Sequence, residues 1–150
     1  MITLRRAVPG DAATVRAVAD AAFRHYVPRI GAPPLPMLAD YPAAIRAHEV
    51  HLAEEAGQVI GFAELIPGPD HVLLETIAVL PTAQGRGVGS RLLALAEEAA
   101  RQHGVAEVRL CTNEAMTENL AYYPRRGYVE THRGEQHGFR RVFFRKRLDA

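Results

Sequence analysis

The chain has 150 residues, 48% hydrophobic and 23% charged, which is the size and composition of one folded domain and too apolar for a disordered chain. A net charge of +1 gives no global reason to expect nucleic acid or an anionic membrane as partner. Cys111 is the one cysteine, Met1 to Arg6 lacks the apolar core of a signal peptide, and no run approaches the ~20 apolar residues that span a bilayer, so a cytoplasmic location is expected.

Ile2 to Arg6 alternates as a short strand, and Pro9-Gly10-Asp11 then offers a turn with Asp11 as helix N-cap. Val15, Val18, Ala19, Ala22, Phe23 and Tyr26 recur at helical spacing after it. Pro28 to Pro36 holds four prolines and a glycine and reads as loop, with a second helix following as far as His48. Val50 to Glu54 and Gln58 to Ile66 flank Glu55-Ala56-Gly57 as an antiparallel hairpin. After the breaker Pro67-Gly68-Pro69-Asp70, His71 to Leu80 is an almost unbroken apolar run containing Glu75, which suits a central strand covered on both faces. Pro81 ends it. Val88, Leu92, Leu95, Ala96 and Ala99 form one face of a helix that Gly104 terminates, and Val105 to Thr112 is the next strand, which makes a parallel βαβ unit. A short helix over Thr117 to Tyr122 and strands over Tyr128 to Arg133 and Phe139 to Arg147 complete an α/β mixed sheet of one domain, residues 1–150.

The segment Gln84-Gly85-Arg86-Gly87-Val88-Gly89-Ser90 lies where a buried strand gives way to a helix. The first turn of a helix has unpaired N–H groups at the positive end of the macrodipole, so an anion such as pyrophosphate is favoured there. Glycine at 85, 87 and 89 removes the Cβ atoms that would hold phosphate oxygens off, and Arg86 can add charge. The spacing excludes a Walker loop, which needs a lysine, and a dinucleotide fingerprint, since the third glycine comes one residue early. A ligand-free glycine-rich connector is the structural alternative.

Ile77-Ala78-Val79-Leu80-Pro81 through Gly89, with Gln84, Gly87 and Gly89 in a Gln/Arg-x-x-Gly-x-Gly/Ala pattern, resembles the GNAT superfamily of N-acetyltransferases, and Tyr123-x-x-x-Gly127-Tyr128 resembles its second landmark. The resemblance covers essentially the whole chain. It implies a mixed sheet that splays open after the Glu75 strand, with acetyl-coenzyme A as co-substrate in the gap. Backbone groups of Ile77, Ala78 and Val79 would meet pantetheine, and the amides of Gln84 to Ser90 the pyrophosphate. Tyr123 would protonate the departing thiolate. Many members carry an asparagine seven residues before that tyrosine; Met116 stands there, with Asn113 and Asn119 on either side as candidate cofactor contacts. Pro124 disfavours helical geometry at Tyr123 and places the helix end near Tyr122.

Attack by an amine requires its neutral form, so a base near the thioester helps. Glu75 shares strand parity with Leu73, Ile77 and Val79 and is the first candidate, against a structurally bonded carboxylate; Glu64 is the second, and water the third. His48 and His51 without a third ligand cluster are a weak metal signal, so no metal is expected. Cys111 reads as a small packed side chain, and the basic end at Arg140, Arg141, Arg145, Lys146 and Arg147 as strand alternation. The expected activity is acetyl transfer from acetyl-coenzyme A to a primary amine in a ternary complex. The amine belongs to a small molecule, peptide or protein, and a homodimer is left open. The alternative is a silent coenzyme A-binding sensor or interaction module. The acceptor is expected against Arg24 to His48, the hairpin turn and the last two strands.

Overall fold

The computed structural model describes residues 1–148. The strands β1 Ile2–Arg6, β2 Glu49–Glu55, β3 Gln58–Pro67, β4 Val72–Val79, β5 Glu107–Asn113, β6 Val129–Gln136 and β7 Phe139–Arg147 form one sheet in the order β1-β2-β3-β4-β5-β7-β6. Only β4 and β5 pair parallel; the other neighbours are antiparallel. Helices α1 Ala12–Phe23, α2 Val27–Ile30 and α3 Tyr41–Ala47 lie between β1 and β2 in the chain. Helix α4 Val88–Gln102 is the crossover from β4 to β5, and α5 Thr117–Arg125 follows β5. The α/β mixed sheet flanked by helices is therefore as the sequence predicts.

The sheet is covered on both faces. On one, Leu92, Ala96 and Ala99 of α4 pack with Leu65, Val72, Leu74 and Val108. On the other, Val15, Val18 and Ala22 of α1 and Tyr41 and Ile45 of α3 pack with Leu52, Phe62 and Ala78. Each fully buried Val, Leu or Phe contributes about 1.5–3 kcal/mol relative to leaving it in water.

One irregularity organises the middle of the sheet. In the β3–β4 ladder Glu64 lies opposite Thr76 and Leu65 opposite Leu74, so Glu75 is an extra residue in β4 with no partner on β3. An extra residue reverses the phase of a strand beyond it. Leu74 accordingly packs toward α4, whereas Ala78 packs toward α1 and Ile77 and Val79 now face α4. This corrects the parity read from the sequence: Leu73 lies on the face opposite to Ile77 and Val79.

Three local expectations are also revised. Asp11 stands at the start of α1 without capping it; its carboxylate instead accepts the Val8 N–H at 2.8 Å and pairs with Arg5 at 2.9 Å, and the hydrogen bond from Arg5 is the main cause of its lowered pKa. The proline-rich stretch is not all loop, since α2 forms one turn closed by Gly31 in the left-handed region and Leu35–Met37 forms a 3₁₀ turn. Arg16 of α1 ties that turn down through the Met37 and Ala39 carbonyls. Helix α5 runs past Tyr122 to Arg125 with Pro124 inside it. The buried Tyr123 ring, edge-on to Tyr128 and tilted on Phe144, holds the turn that the proline disfavours, and Gly127 at φ +93° ends it.

Where α4 starts, its first turn lies directly on β3. A Cβ added to Gly61 would sit 2.8 Å from the Ala78 carbonyl oxygen and 3.3 Å from Val88 Cγ1. Backbone cannot yield as a flexible side chain does, so Gly61→Ala is expected to lower stability by about 1–3 kcal/mol. The urea midpoint of the variant checks it; a midpoint equal to wild type would show that the start of α4 moves freely.

Candidate active site

Pairing between β4 and β5 stops at Leu74 and Leu110. Beyond that point the hydrogen-bond phase decides which backbone groups are free. The Leu80 N–H bonds the Ile60 carbonyl at 2.8 Å, so alternation turns the amides and carbonyls of Ala78 and Thr76 toward β3 and those of Ile77 and Val79 away from it. Ile77 and Val79 therefore turn their backbone toward the gap, while Ala78 lines the cleft wall. On β5, the bonds Leu148 N–H to Ala106 and Glu114 N–H to Arg140 turn even-numbered residues toward β7 and leave Cys111 and Asn113 facing the gap.

Glycines 85 and 87 sit at φ +78° and +83°, a conformation that side chains with a Cβ resist. They turn the chain into α4, whose first intrahelical bond is the Arg91 N–H to the Gly87 carbonyl at 3.1 Å. The amides of Val88, Gly89 and Ser90 precede that bond and have no helical acceptor. A Cβ on Gly89 would find only the Tyr122 hydroxyl and Val79 Cγ2, both at 3.9 Å. Donors without acceptors, at the positive end of a 15-residue helix, fit a diphosphate. They open onto a cleft of about 530 Å³ walled by Ile77, Val79, Gln84, Gly87 and Tyr122. Gln84 spans the mouth, its Nε2 donating to the Val79 carbonyl at 3.3 Å. Arg86 turns away and pairs with Glu55 on the hairpin, so its charge is not directed at the cleft.

Helix α5 supplies the other wall. The Tyr122 hydroxyl lies 3.3 Å from Ser90 Oγ, at the glycine-loop end, with Arg126 stacked 4.9 Å from its ring. Tyr123 is 5% exposed and borders both the cleft and a smaller cavity of about 60 Å³ deeper in the gap. Burial raises its pKa well above the ordinary phenol value, so it keeps its proton at neutral pH. The two asparagines separate: Asn113 spends its side-chain oxygen on the Ala115 N–H at 2.9 Å, whereas Asn119 borders both spaces, donating to Thr112 Oγ1 at 3.0 Å. Met116, at the position of the expected asparagine, is buried at the foot of α5.

Glu75 also borders the smaller cavity and forms no hydrogen bond or ion pair among the described residues. Glu64 is different: it is 4% exposed, bonded to His48 at 2.7 Å, and absent from the cavity walls. Desolvation raises its pKa, the His48 bond opposing. His51 bonds Glu49 instead. Cys111 lines the smaller cavity, and burial pushes its thiol upward, away from a thiolate nucleophile. Sequence reasoning missed Phe23 and Tyr26, which wall the cleft from the end of α1; their helical spacing had marked them only as core.

The Acetyltransferase (GNAT) family model matches residues 15–128. The chain belongs to this acetyltransferase family. A 96-residue segment is 33% identical to the uncharacterized N-acetyltransferase YhfO of Bacillus subtilis, covering 59% of this chain and 64% of that protein. A 59-residue segment is 41% identical to the aminoalkylphosphonate N-acetyltransferase of Salmonella typhimurium, covering 39% of this chain and 38% of that one. The chain thus spans less than two thirds of the length of these curated relatives. In structure it superposes on the PaiA N-acetyltransferase of Thermoplasma acidophilum in complex with coenzyme A, at a TM-score of 0.85 and 18% identity over 99% of both chains. That likeness is one of fold.

Acetyl-coenzyme A is expected to raise thermal stability with the logarithm of its concentration, by about 2.7 kcal/mol at 100 times Kd. In Gly87→Val the added Cβ meets no protein atom within 4 Å and the position lies at φ +83°, so the main cost is backbone strain of about 1–3 kcal/mol, and the ligand-dependent shift should vanish. Calorimetry on the folded variant checks this; wild-type affinity would remove the loop from the binding site.

Proposed function

We propose that this chain transfers an acetyl group from acetyl-coenzyme A to a primary amine by direct attack within a ternary complex. The observation that carries the reading is the position of Tyr123. Its protonated phenol borders the cleft below the glycine loop and also the smaller cavity that holds Glu75. The names of the curated relatives and the coenzyme A in the structural neighbour support the same reading.

Bound acetyl-coenzyme A supplies the thioester whose carbonyl carbon the amine attacks. The α4 amides and the loop glycines hold the diphosphate, and the gap-facing backbone of Ile77 and the Val79 N–H extend β4 along the pantetheine arm, the Val79 carbonyl being held by Gln84. Asn119 borders that arm from α5. Glu75 takes the proton that the attacking nitrogen loses, directly or through water. Tyr123 gives its proton to sulfur as the carbon–sulfur bond breaks, and the acetylated amine and free thiol leave. The chemistry calls on no metal. The arginines at the basic end of the chain share carboxylates within the fold, Arg140 near Glu114 and Arg145 and Arg147 near Glu107, and with a net charge of +1 this favours a small-molecule or peptide acceptor over nucleic acid. A cytoplasmic location accords with the lone reduced Cys111.

Glu75→Gln should lower turnover by about 10²-fold or more at pH values below the acceptor's own pKa and less above it, because only the protonated amine needs a base. A pH–rate profile decides; an equal loss at every pH would assign Glu75 to positioning, and an unchanged profile would exclude it.

Tyr123→Phe should lower turnover at saturating cofactor by about 10²-fold, near the lower end for a general acid, because a thiol of pKa about 8.5 already leaves readily. Tyr122→Phe is the internal control, since its hydroxyl faces Ser90. A larger loss in Tyr122→Phe would transfer the role by one residue; no loss in either would defeat the general-acid assignment.

A further inference from the structure

The arginines of β7 are not equivalent. Arg140, Arg145 and Arg147 each have a carboxylate within 4 Å. Arg141 has none among the described residues. Its Nε is buried without a hydrogen-bond partner, and its guanidinium makes only one long bond, 3.4 Å, to the carbonyl of Cys111. That carbonyl faces the gap between β4 and β5, so the guanidinium is drawn to the gap's rim. A buried donor left unsatisfied costs about 1–3 kcal/mol.

Arg141 and Glu75 line the same two spaces: the cavity of about 60 Å³ that Tyr123 closes, and the groove of about 510 Å³ that continues over β5 and β7. Neither charge has an ionic partner among the described residues, and the two do not pair with each other. Cys111 lines both spaces with them, and burial first of all raises its thiol's pKa, with Arg141 lowering and Glu75 raising it in lesser measure. One opening thus presents a carboxylate and a guanidinium held apart, which is the complement of a molecule with an ammonium at one end and an anion at the other. Leu35, Pro36 and Phe139 also line the cavity, and Leu35 continues into the groove beyond.

We infer that the acceptor is a small amine bearing its own anionic group, a carboxylate or a phosphonate, with that group bound by Arg141 and the amine directed to Glu75. The inference rests on the acetyl-transfer reading and narrows its acceptor. Arg141 selects substrate and moves no proton. The forked guanidinium suits both anions, since each offers two oxygens to paired donors. The groove beyond adds Thr131, His132 and Gln136 as neutral or weakly basic neighbours for a bulkier anion.

The test compares β-alanine, 2-aminoethylphosphonate and n-propylamine, which share a two-carbon spacer and differ in the terminal group. Thiol release with acetyl-coenzyme A gives kcat/KM, and calorimetry in the presence of coenzyme A gives acceptor affinity without turnover. The anionic amines are expected to exceed propylamine by about 10- to 100-fold in both, the range of a charge-assisted bidentate contact. Comparison of β-alanine with the phosphonate identifies the anion. In Arg141→Gln the preference should collapse toward unity through KM, and Arg141→Lys should recover part of it. Arg141 does not line the cofactor cleft, so unchanged coenzyme A affinity shows that the variants are folded. Acetylation indifferent to the anion, or a preference that survives Arg141→Gln, overturns the inference. Absence of binding by any of the three amines also overturns it. Anion-selective, Arg141-dependent binding with no thiol release would sustain the anion site and defeat the transferase reading instead.

Discussion

One extra residue in β4 governs this molecule. A regular strand between β3 and β5 would keep its ladders to both and leave no opening in the sheet. With Glu75 inserted against β3, the strand bends and its hydrogen-bonding phase reverses. Up to Leu74 the residues that face β5 are paired with it; after Thr76 those facing that side have no strand to meet. The gap, the backbone of Ile77 and Val79 that faces it and the release of the Glu75 side chain from the ladder have a single geometric cause.

The two halves of the site are built from different materials. The half beside α4 is main chain: glycines in the left-handed region, first-turn amides and a strand edge. Its accuracy depends on where α4 begins, which Gly61 fixes by letting Val88 approach β3 and the Ala78 carbonyl. The half beyond Tyr123 is side chains, drawn from the 34–36 turn, β5 and β7. Backbone recognition tolerates wide change in sequence, whereas the side-chain half changes with every substitution. A fold shared at 18% identity is therefore compatible with quite different acceptors.

The β2–β3 hairpin, the parallel βαβ unit and the loop at 84–90 were legible because each leaves a local mark: alternation, apolar periodicity, glycines at a strand-to-helix junction. The bulge left none. Val72 to Val79 is mostly apolar on both faces, so the burial pattern does not show the reversal of phase, and Glu75 reads as in step with Leu73 and Ile77 when it separates them. Asp11 was misread because its competing partners, Arg5 and the Val8 amide, outbid the cap. Pro124 obeys its local preference only until the burial of Tyr123 against Tyr128 and Phe144 outweighs it. Asn113 and Asn119 differ through a turn the sequence does not display: the first is held by the Ala115 N–H beside the smaller cavity, the second borders both spaces.

Arg141 was hidden for a related reason. In the sequence it is one of five basic residues near the end of the chain, and alternation accounts for all of them equally. Only the pairing within the fold distinguishes it. Arg140, adjacent to it, emerges on the other face of β7 and reaches Glu114, while Arg141 is turned over β5, where the nearest acceptor is the Cys111 carbonyl. Glu75 faces the same space from the far side of the gap, with β5 between the two strands that carry the charges. The sheet that keeps them apart prevents their mutual neutralisation; Glu75 stays exposed to water, while the buried Arg141 Nε, without a partner among the described residues, is a standing cost to stability. An arrangement of that kind is relieved when a ligand of complementary charges enters, so the unsatisfied state of the folded protein itself contributes to selection of the acceptor.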